Sequence, residues 1–312
     1  FGEGQQAGKV SDLAYHNSLM VQIWSALAAK DAKLIEHSMS RFHALPSNTA
    51  WGVYLRCHDD IGWAIDDSDA QALGLNGHAH RMFLADFYTG KFFGSAARGV
   101  DFQTDDQSGE RRTSGSSASL AGLEAALESG SADELDTAVA RYLCAYSMVF
   151  GFGGIPLLYM GDEIGMLNDE SYVADPSKQN DNRWIHRPGM NWELAELSAS
   201  APEGSSDLVA VRIREGINRI ISARISIPSL HAAVATRVRA SQASGVVIFV
   251  RHHAAGDLVQ LYNLASEPRQ VASTELAGLQ GELIDQLTGN SYQSQLGISL
   301  SPYQVLWLMG KN

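Results

Sequence analysis

Two short apolar segments that stop abruptly at charged residues place the strongest limits on the fold of this chain. They are AWGVYLRCHDD, residues 50–60, and IPLLYM, residues 155–160, which runs into Gly161-Asp162-Glu163. Their length and their branched and aromatic side chains predict two buried strands. The capping box Ser131-Ala-Asp-Glu134 opens a helix between them, and strands that alternate with helices predict a parallel sheet. Because functional groups gather where parallel strands end, both charged ends are candidate site positions.

Weaker patterns predict further elements at the start of the chain. SDLAY, residues 11–15, is short enough to be the end of a strand. Asn17 or Ser18 can cap the helix that follows, and a second helical stretch runs to about Pro46. A strand and two helical stretches therefore precede the first apolar segment.

The segments that follow the two predicted strands are polar. Residues 61–132 are rich in Gly, Ser, Asp and Gln, with one helical patch around Arg81 to Phe93. After the second strand, a polar stretch of about 40 residues runs to about Ser206, and loops of that length are usually functional or disordered. Asp207 then starts a helix that stops before Pro228.

The pattern changes at about residue 233. Short β-rich runs follow one another, separated by turn residues: GVVIFVRHH, LVQLYNLA, GELIDQL and PYQVLWLMG. Regular short strands of this kind predict a small antiparallel sandwich at the end of the chain.

Composition and charge exclude several classes of function. The 312 residues carry 23 Lys and Arg against 35 Asp and Glu, a formal net charge of −12. Such an acidic chain is a poor partner for nucleic acid or for anionic lipid, and no apolar run reaches the roughly 18 residues of a membrane span. Cys57 and Cys144 show no pairing pattern. We therefore expect a reducing, cytoplasmic location. Since the chain begins with Phe1, we also expect its natural start to lie upstream.

Cofactor and nucleophile motifs of other enzyme classes are missing from the sequence. Gly151-x-Gly-Gly precedes a strand and ends a helix, so it is no dinucleotide fingerprint. The sequence has no phosphate-binding P-loop, no GxSxG nucleophile elbow and no His or Cys at metal-ligand spacing near His58. We therefore predict no cofactor and no metal.

Three polar clusters remain as candidate sites. In Arg56-Cys-His-Asp-Asp60, an adjacent His and carboxylate can bind neighbouring sugar hydroxyls, although a solvated strand end is equally consistent. Residues 180–188, NDNRWIHRP, have arginines suited to pairing with carboxylates, or belong to a surface loop held by Trp184 and Trp192. For Asp162-Glu163 the favoured interpretation is that the charges only orient a loop. Arg111-Arg112 is most simply a solvated pair.

Long motifs in these clusters resemble the α-amylase superfamily of retaining glycosidases, and within it the amylosucrase and sucrose hydrolase branch. The motifs are RCHDDIGW at 56–63, GGIPLLYMGDEIGMLND at 153–169 and DNRWIHRP at 181–188. ARGVDFQ at 97–103 and RRTSGS at 111–116 are similar to an insertion in that branch. The resemblance extends from about Tyr15 to the last β-rich run.

The resemblance implies an α/β fold: the C-terminal part of a (β/α)8 TIM barrel followed by an antiparallel β-sandwich. Residues 1–63 would hold barrel strands 6 and 7 with a helix, and residues 64–132 an insertion between strand 7 and its helix. Residues 133–232 would hold strand 8, the long loop and the final helices, and residues 233–312 the sandwich. The catalytic Asp and Glu of the family, on strands 4 and 5, would precede Phe1. Without the earlier strands, we expect an open sheet edge with exposed apolar groups.

The resemblance also implies roles for five residues. His58 and Asp59 match the pair that holds the glucosyl ring, with Asp59 as transition-state stabiliser. Asp60 and Arg112 match positions similar to contacts on the fructosyl side. Arg183 matches an arginine that closes the bottom of the pocket with an upstream Asp. In the absence of that partner, we expect Arg183 to point to solvent or to pair locally with Asp181.

The implied activity is cleavage of sucrose, with the glucosyl unit transferred to an α-glucan or to water. The partners are then sucrose and an α-glucan acceptor, while the sequence leaves the oligomeric state open. Two alternatives are a non-catalytic scaffold or binding protein of the same fold and an enzyme for another α-glucoside, such as a trehalose- or isomaltulose-forming one. The 312-residue chain alone is expected to be inactive.

Overall fold

A computed structural model describes residues 1–2, 4–202, 208–276 and 278–311. The chain divides into two compact units. The first comprises Phe1–Tyr54, Cys144–Leu157 and Arg219–Asn312, and the second comprises Leu55–Leu143 and Leu158–Asn218. The predicted domain boundaries at residues 63, 132 and 232 remain a prediction.

The helices and strands have the following bounds. The α-helices are α1 Asn17–Ala29, α2 Lys33–Ser40, α3 Asp67–Ala72, α4 Gly77–Tyr88, α5 Ser117–Leu120, α6 Leu123–Ser129, α7 Ala132–Phe152, α8 Trp192–Ser200 and α9 Val209–Ser226. The strands are β1 Leu13–Tyr15, β2 Ala50–Tyr54, β3 Val100–Phe102, β4 Arg112–Ser114, β5 Ile155–Leu157, β6 Arg237–Ala240, β7 Val246–Arg251, β8 Leu258–Asn263, β9 Arg269–Val271, β10 Glu282–Asp285, β11 Ser291–Gln293, β12 Ile298–Leu300 and β13 Val305–Gly310. Short 3-10 helices span Gly4–Gln6, Asp162–Ile164, Glu170–Ala174, Asn182–His186, Pro228–Leu230, Ser273–Glu275 and Ser294–Leu296.

The first unit contains a parallel sheet in the order β1-β2-β5. Gly52 lies opposite both Tyr15 of β1 and Ile155 of β5. The parallel pairing of the two apolar strands is therefore confirmed, and the chain leaves both strands at the same edge of the sheet. A closed barrel remains a prediction.

The two outer strands of this sheet expose apolar side chains. Leu13 and Tyr15 on β1 are 42% and 58% exposed, and Ile155 on β5 is 45% exposed. The prediction of a buried second strand is therefore wrong for Ile155, because β5 is paired on only one side among the described strands. The exposed side chains agree instead with the expectation of an open apolar edge.

The C-terminal strands form the predicted antiparallel sandwich. One sheet has the order β11-β10-β13-β8-β7-β6, and β9 pairs with β12 in a second. Their side chains share one buried core that includes Ile248, Leu261, Val271, Leu300 and Leu306. Aliphatic side chains from both sheets therefore fill the space between them.

The structure corrects several predicted boundaries. The cap of α1 is neither Asn17 nor Ser18: His16 Nδ1 accepts the Leu19 N–H at 3.3 Å. The first apolar strand ends at Tyr54 rather than continuing toward residue 60. Asp207 lies outside the described residues, and α9 begins at Val209.

The polar segments contain more regular structure than the sequence patterns indicate. Residues 61–132 hold four helices, α3 to α6, and the β3–β4 hairpin, rather than one helical patch. The stretch before residue 202 contains α8 and several 3-10 turns. N-cap side chains explain where α3 and α4 begin, because Asp66 accepts the Ser68 N–H and Asn76 accepts the Ala79 N–H. Over the described residues, no helix combines the length and apolar character needed to cross a membrane.

Candidate active site

A buried ion pair joins the segments that follow the two apolar strands, within the second unit. Arg56 Nη2 donates to Asp162 Oδ1 at 3.3 Å, and both side chains are almost fully buried. Ser117 Oγ donates to the other oxygen of Asp162 at 2.8 Å, and Tyr142 Oη donates to its carbonyl at 2.5 Å. The Arg56 guanidinium also lies 4.2 Å from the centre of the Tyr159 ring. These contacts favour the interpretation that Asp162 orients loops.

The RCHDD segment presents its polar side chains differently. His58 and the Asp59 carboxylate are exposed, whereas the Asp60 side chain is only 3% exposed. The backbone N–H of Asp60 donates to Asp59 Oδ1 at 3.1 Å, which fixes that carboxylate relative to its own loop. An exposed carboxylate thus lies beside a buried one.

Arg183 joins Asp59 to a second carboxylate. Its Nη1 donates to Asp59 Oδ1 at 2.9 Å, while Nε and Nη2 each donate to Asp181 at 2.8 Å. The guanidinium also lies 5.0 Å from the centre of the Phe102 ring. The expected local pairing with Asp181 is confirmed, and the contact with Asp59 was not predicted from the sequence.

The adjacent residues Arg111 and Arg112 also form ion pairs. Arg112 Nη1 donates to Asp60 Oδ2 at 3.3 Å. Arg111 pairs with Asp86 and, at 3.1 Å, with Asp101. The interpretation of these two arginines as merely solvated is therefore wrong, because the β3–β4 hairpin brings them next to carboxylates that are distant in sequence. His58, Asp59, Asp60, Arg112 and Arg183 thus all lie in one network or directly beside it.

The two adjacent carboxyl groups have pKa values that move in opposite directions. The hydrogen bond from Arg183 lowers the pKa of Asp59 to about 2. Burial raises the pKa of Asp60, and the neighbouring Asp59 raises it further. Asp59 is therefore an anion throughout the neutral range, ready to accept hydrogen bonds from hydroxyl groups.

The buried side chain of His186 links the segments that carry Gly115 and His58. Its Nδ1 accepts the Gly115 N–H at 3.0 Å, so its Nε2 carries the proton and faces the His58 carbonyl at 3.3 Å. Arg187 Nε donates to the same carbonyl at 2.5 Å. Burial lowers the pKa of His186 to about 3, so the ring is neutral. The sequence motif contains His186, but no local pattern indicates that it contacts residues 71 and 128 positions away.

We expect the stability of the chain to fall with acidification because of His186. Its pKa is about 3 in the folded chain and about 6.5 when unfolded. The unfolded state therefore takes up the proton first, and stability is lost as the pH falls from about 6.5 toward 3. At about pH 4.5 the loss relative to neutral pH is about 2–3 kcal/mol. Urea unfolding at a series of pH values measures it.

The matched variant for this measurement is His186→Asn. It should be less stable than the parent at neutral pH, because the polar groups of Gly115 and His58 lose their partner, and its stability should depend less on pH in this window. Equal pH dependence in the two proteins would show that His186 does not contribute.

Two grooves flank the network. One, of about 680 Å³, is lined by Trp63, Arg81, Glu110 and Arg112 among others. The other, of about 520 Å³, is lined by Asp101–Gln103 and Gln179–Arg183. Among the described residues, no group of three or more His, Cys, Asp or Glu side chains is arranged to hold a metal ion.

Known proteins share both the C-terminal domain and the fold. The family described as amylosucrase, C-terminal domain, matches residues 236–309. AmyP, solved in complex with maltose, has a TM-score of 0.58 at 14% identity, over 99% of this chain and 53% of its own. A sucrose 6F-phosphate phosphorylase from Thermoanaerobacter thermosaccharolyticum has a TM-score of 0.54 at 17% identity, over 83% of this chain and 45% of its own.

A third solved structure gives the same result. Cyclic α-maltosyl-(1→6)-maltose hydrolase from Arthrobacter globiformis has a TM-score of 0.52 at 15% identity, over 97% of this chain and 46% of its own. The chain therefore spans about half the length of these solved proteins. Residues 236–309 match the C-terminal domain of amylosucrase, and the chain shares its fold with about half of each of these solved proteins.

Proposed function

We propose that this chain is part of a retaining enzyme that cleaves the α-glucosidic bond of sucrose. The enzyme transfers the glucosyl unit to an α-glucan, as an amylosucrase does, or to water, as a sucrose hydrolase does. In this proposal, residues 1–232 form barrel strands 6 to 8 with the insertion, and the sandwich follows. The full-length protein acts in the cytoplasm without a cofactor.

The observation that carries this proposal is the network around Asp59. His58, Asp59 and Asp60 follow one strand of a parallel sheet, and arginines from two distant segments converge on the two carboxylates. The amylosucrase-type domain at residues 236–309 supports the sucrose-acting branch. The similarity of fold to a sucrose 6F-phosphate phosphorylase also supports a sucrose-like substrate.

The chemistry proposed for Asp59 follows from its charge and its exposure. A retaining glycosidase passes through an oxocarbenium-like state, and hydrogen bonds to ring hydroxyls that strengthen there lower the barrier. Asp59 is an anion that keeps half of its side chain exposed despite its bond to Arg183. It therefore accepts hydrogen bonds from glucosyl hydroxyls, while His58 binds a neighbouring hydroxyl.

Asp60 and Arg112 have a separate role in this proposal. They form an ion pair beside Asp59, with the carboxylate buried and the guanidinium about half exposed. Arg112 also lines the larger groove. Arg112, held in place by Asp60, therefore offers hydrogen-bond donors to the fructosyl side of sucrose.

The two alternatives lead to different observations. A non-catalytic scaffold has no need of an exposed anion held by an arginine from a distant segment, and the bond between Asp59 and Arg183 disfavours it. An enzyme that forms trehalose or isomaltulose would use the same Asp59 and differ at the acceptor side. The products formed from sucrose therefore distinguish these enzymes from the proposed one.

We expect the purified 312-residue chain to release no fructose from sucrose. The proposal places the nucleophile and the acid/base on strands outside this chain, and His58 and Asp59 alone supply neither group. The protein expressed from its complete reading frame is the matched control and should release fructose. Fructose release by the chain itself, or none by the complete protein, would contradict the proposal.

A further inference from the structure

Two directly opposed residues of the β3–β4 hairpin contact the site: one contacts Asp60, and the other contacts the arginine that binds Asp59. Phe102 on β3 lies directly opposite Arg112 on β4. Side chains of directly opposed residues in an antiparallel pair project from the same face of the sheet. Arg112 contacts Asp60, and the Phe102 ring contacts the guanidinium that holds Asp59.

Three N–H donors of Arg183 bond to carboxylates, and its guanidinium lies over the Phe102 ring. Its Nε and Nη2 bond to Asp181, and its Nη1 bonds to Asp59. The central carbon of the guanidinium lies 5.0 Å from the centre of the ring. A ring in that position attracts the cation and so opposes movement of Arg183 away from Asp59.

The hairpin is itself tied to the segment that carries Arg183. Asn182 Nδ2 donates to the carbonyl of Asp101, the residue before Phe102. At its other strand, Thr113 exchanges backbone hydrogen bonds with Ile61 at 2.8 and 3.0 Å, just after Asp60. The Phe102 ring is therefore held at a set position relative to both Arg183 and the carboxylates.

We propose that Phe102 is a positioning residue of the site: its ring holds Arg183 against Asp59, so that the β3–β4 hairpin sets the orientation of that carboxylate. The inference rests on the proposed function only for the consequence of that orientation in catalysis. The contact itself is a property of the 312-residue chain and can be tested without any turnover.

The test compares Phe102→Leu with Phe102→Tyr in the 312-residue chain. Leucine removes the ring and keeps an apolar side chain, while tyrosine keeps the ring. We expect the pKa of Asp59, measured by carbon NMR of its carboxyl group, to rise by roughly 0.5 in Phe102→Leu. It should remain at the parent value in Phe102→Tyr. Phe102→Met, which also lacks a ring, provides a second measurement if leucine disturbs folding.

A second pair of variants separates positioning from a general structural effect. In an Arg183→Gln background the pKa of Asp59 should already be raised, and Phe102→Leu should add nothing to it. If Phe102→Leu lowers stability but leaves the titration of Asp59 unchanged, the ring is only packing and the inference is wrong. The same conclusion holds if the shift persists in the Arg183→Gln background. Because the readout is a titration, either failure can be told apart from an absence of sucrose cleavage in the complete protein.

Discussion

Asp59→Asn, made in the protein expressed from its complete reading frame, should lower kcat for sucrose by at least roughly tenfold to a hundredfold. The substitution replaces an anion by a neutral amide of the same shape, so one or two charged hydrogen bonds of about 1.5–3 kcal/mol each are lost. Because those bonds strengthen in the transition state, KM should change much less than kcat. Initial rates of fructose release over a range of sucrose concentrations measure both constants.

Asp181→Asn is the matched control for this variant. Asp181 bonds to the same arginine and is 30% exposed, against 50% for Asp59, but the proposal gives it no contact with the sugar. Its loss should perturb Arg183 and lower kcat far less than Asp59→Asn does. Near-normal kcat in Asp59→Asn, or equal losses in the two variants, would remove Asp59 from the role of transition-state stabiliser.

Arg251→Met should lower the free energy of unfolding by about 3–5 kcal/mol, the largest effect on stability that we expect. The Arg251 side chain is fully buried, and burial lowers its pKa to about 9, so it is charged at neutral pH. Its donors reach the carbonyls of Ser229 at 2.6 Å and His231 at 2.8 Å, and also the carbonyl of Phe152 and the hydroxyl of Thr236. Methionine keeps much of the volume but removes the hydrogen bonds that the charged group donates to these oxygens, each worth about 1.5–3 kcal/mol, the bond to the buried Ser229 among them.

Arg237→Met on the neighbouring strand β6 is the control, because Arg237 is exposed. Its effect should remain within about 0.5 kcal/mol. Arg224→Met should be intermediate: Arg224 donates to the carbonyls of Phe150 and Gly154 but is less deeply buried. Urea unfolding of the three variants gives the comparison, and a loss below about 1 kcal/mol in Arg251→Met would mean that water replaces the arginine at these carbonyls.

This arginine also explains the glycine at position 153, directly after α7. A Cβ atom on Gly153 would lie 2.2 Å from Arg251 Nη1, and the φ angle of +110° is itself unfavourable for other residues. From the sequence alone, Gly153 is only one of two adjacent glycines that end a helix. The reason for a glycine at this position lies about a hundred residues further along the chain.

Local sequence patterns predicted the features that depend only on residues close together in the chain. Ser131 Oγ accepts the Glu134 N–H at 3.3 Å, as the predicted capping box requires, while the Ser131 N–H donates to Ser129 Oγ, and α7 begins at Ala132 as expected. The β-rich runs after residue 233 became the strands of the sandwich, because strand-forming residues and turn residues act locally. Arg183 and Asp181 are two residues apart, and their pairing was also expected.

Contacts between distant segments could not be predicted in this way. His16 caps α1 although histidine is an unusual cap, because it is enclosed by Phe42 and Trp51 from other segments. The polar composition of residues 61–132 gave little indication of the β3–β4 hairpin, whose partner Ile61 precedes it by some fifty residues. Nothing near His186 in the sequence indicates its partners Gly115 and His58.

The sequence by itself determined the chemical identity of the candidate site: a histidine and two carboxylates after an apolar strand, and arginines in two polar segments. Only the tertiary structure decided how these groups are used. It places Arg183 on Asp59 and Arg112 on Asp60, leaving one carboxylate exposed and burying the other. The physical reason is that charge and strand propensity are properties of single residues and their neighbours. The pKa of a carboxyl group depends on burial and on cations that folding brings within about 3 Å of it.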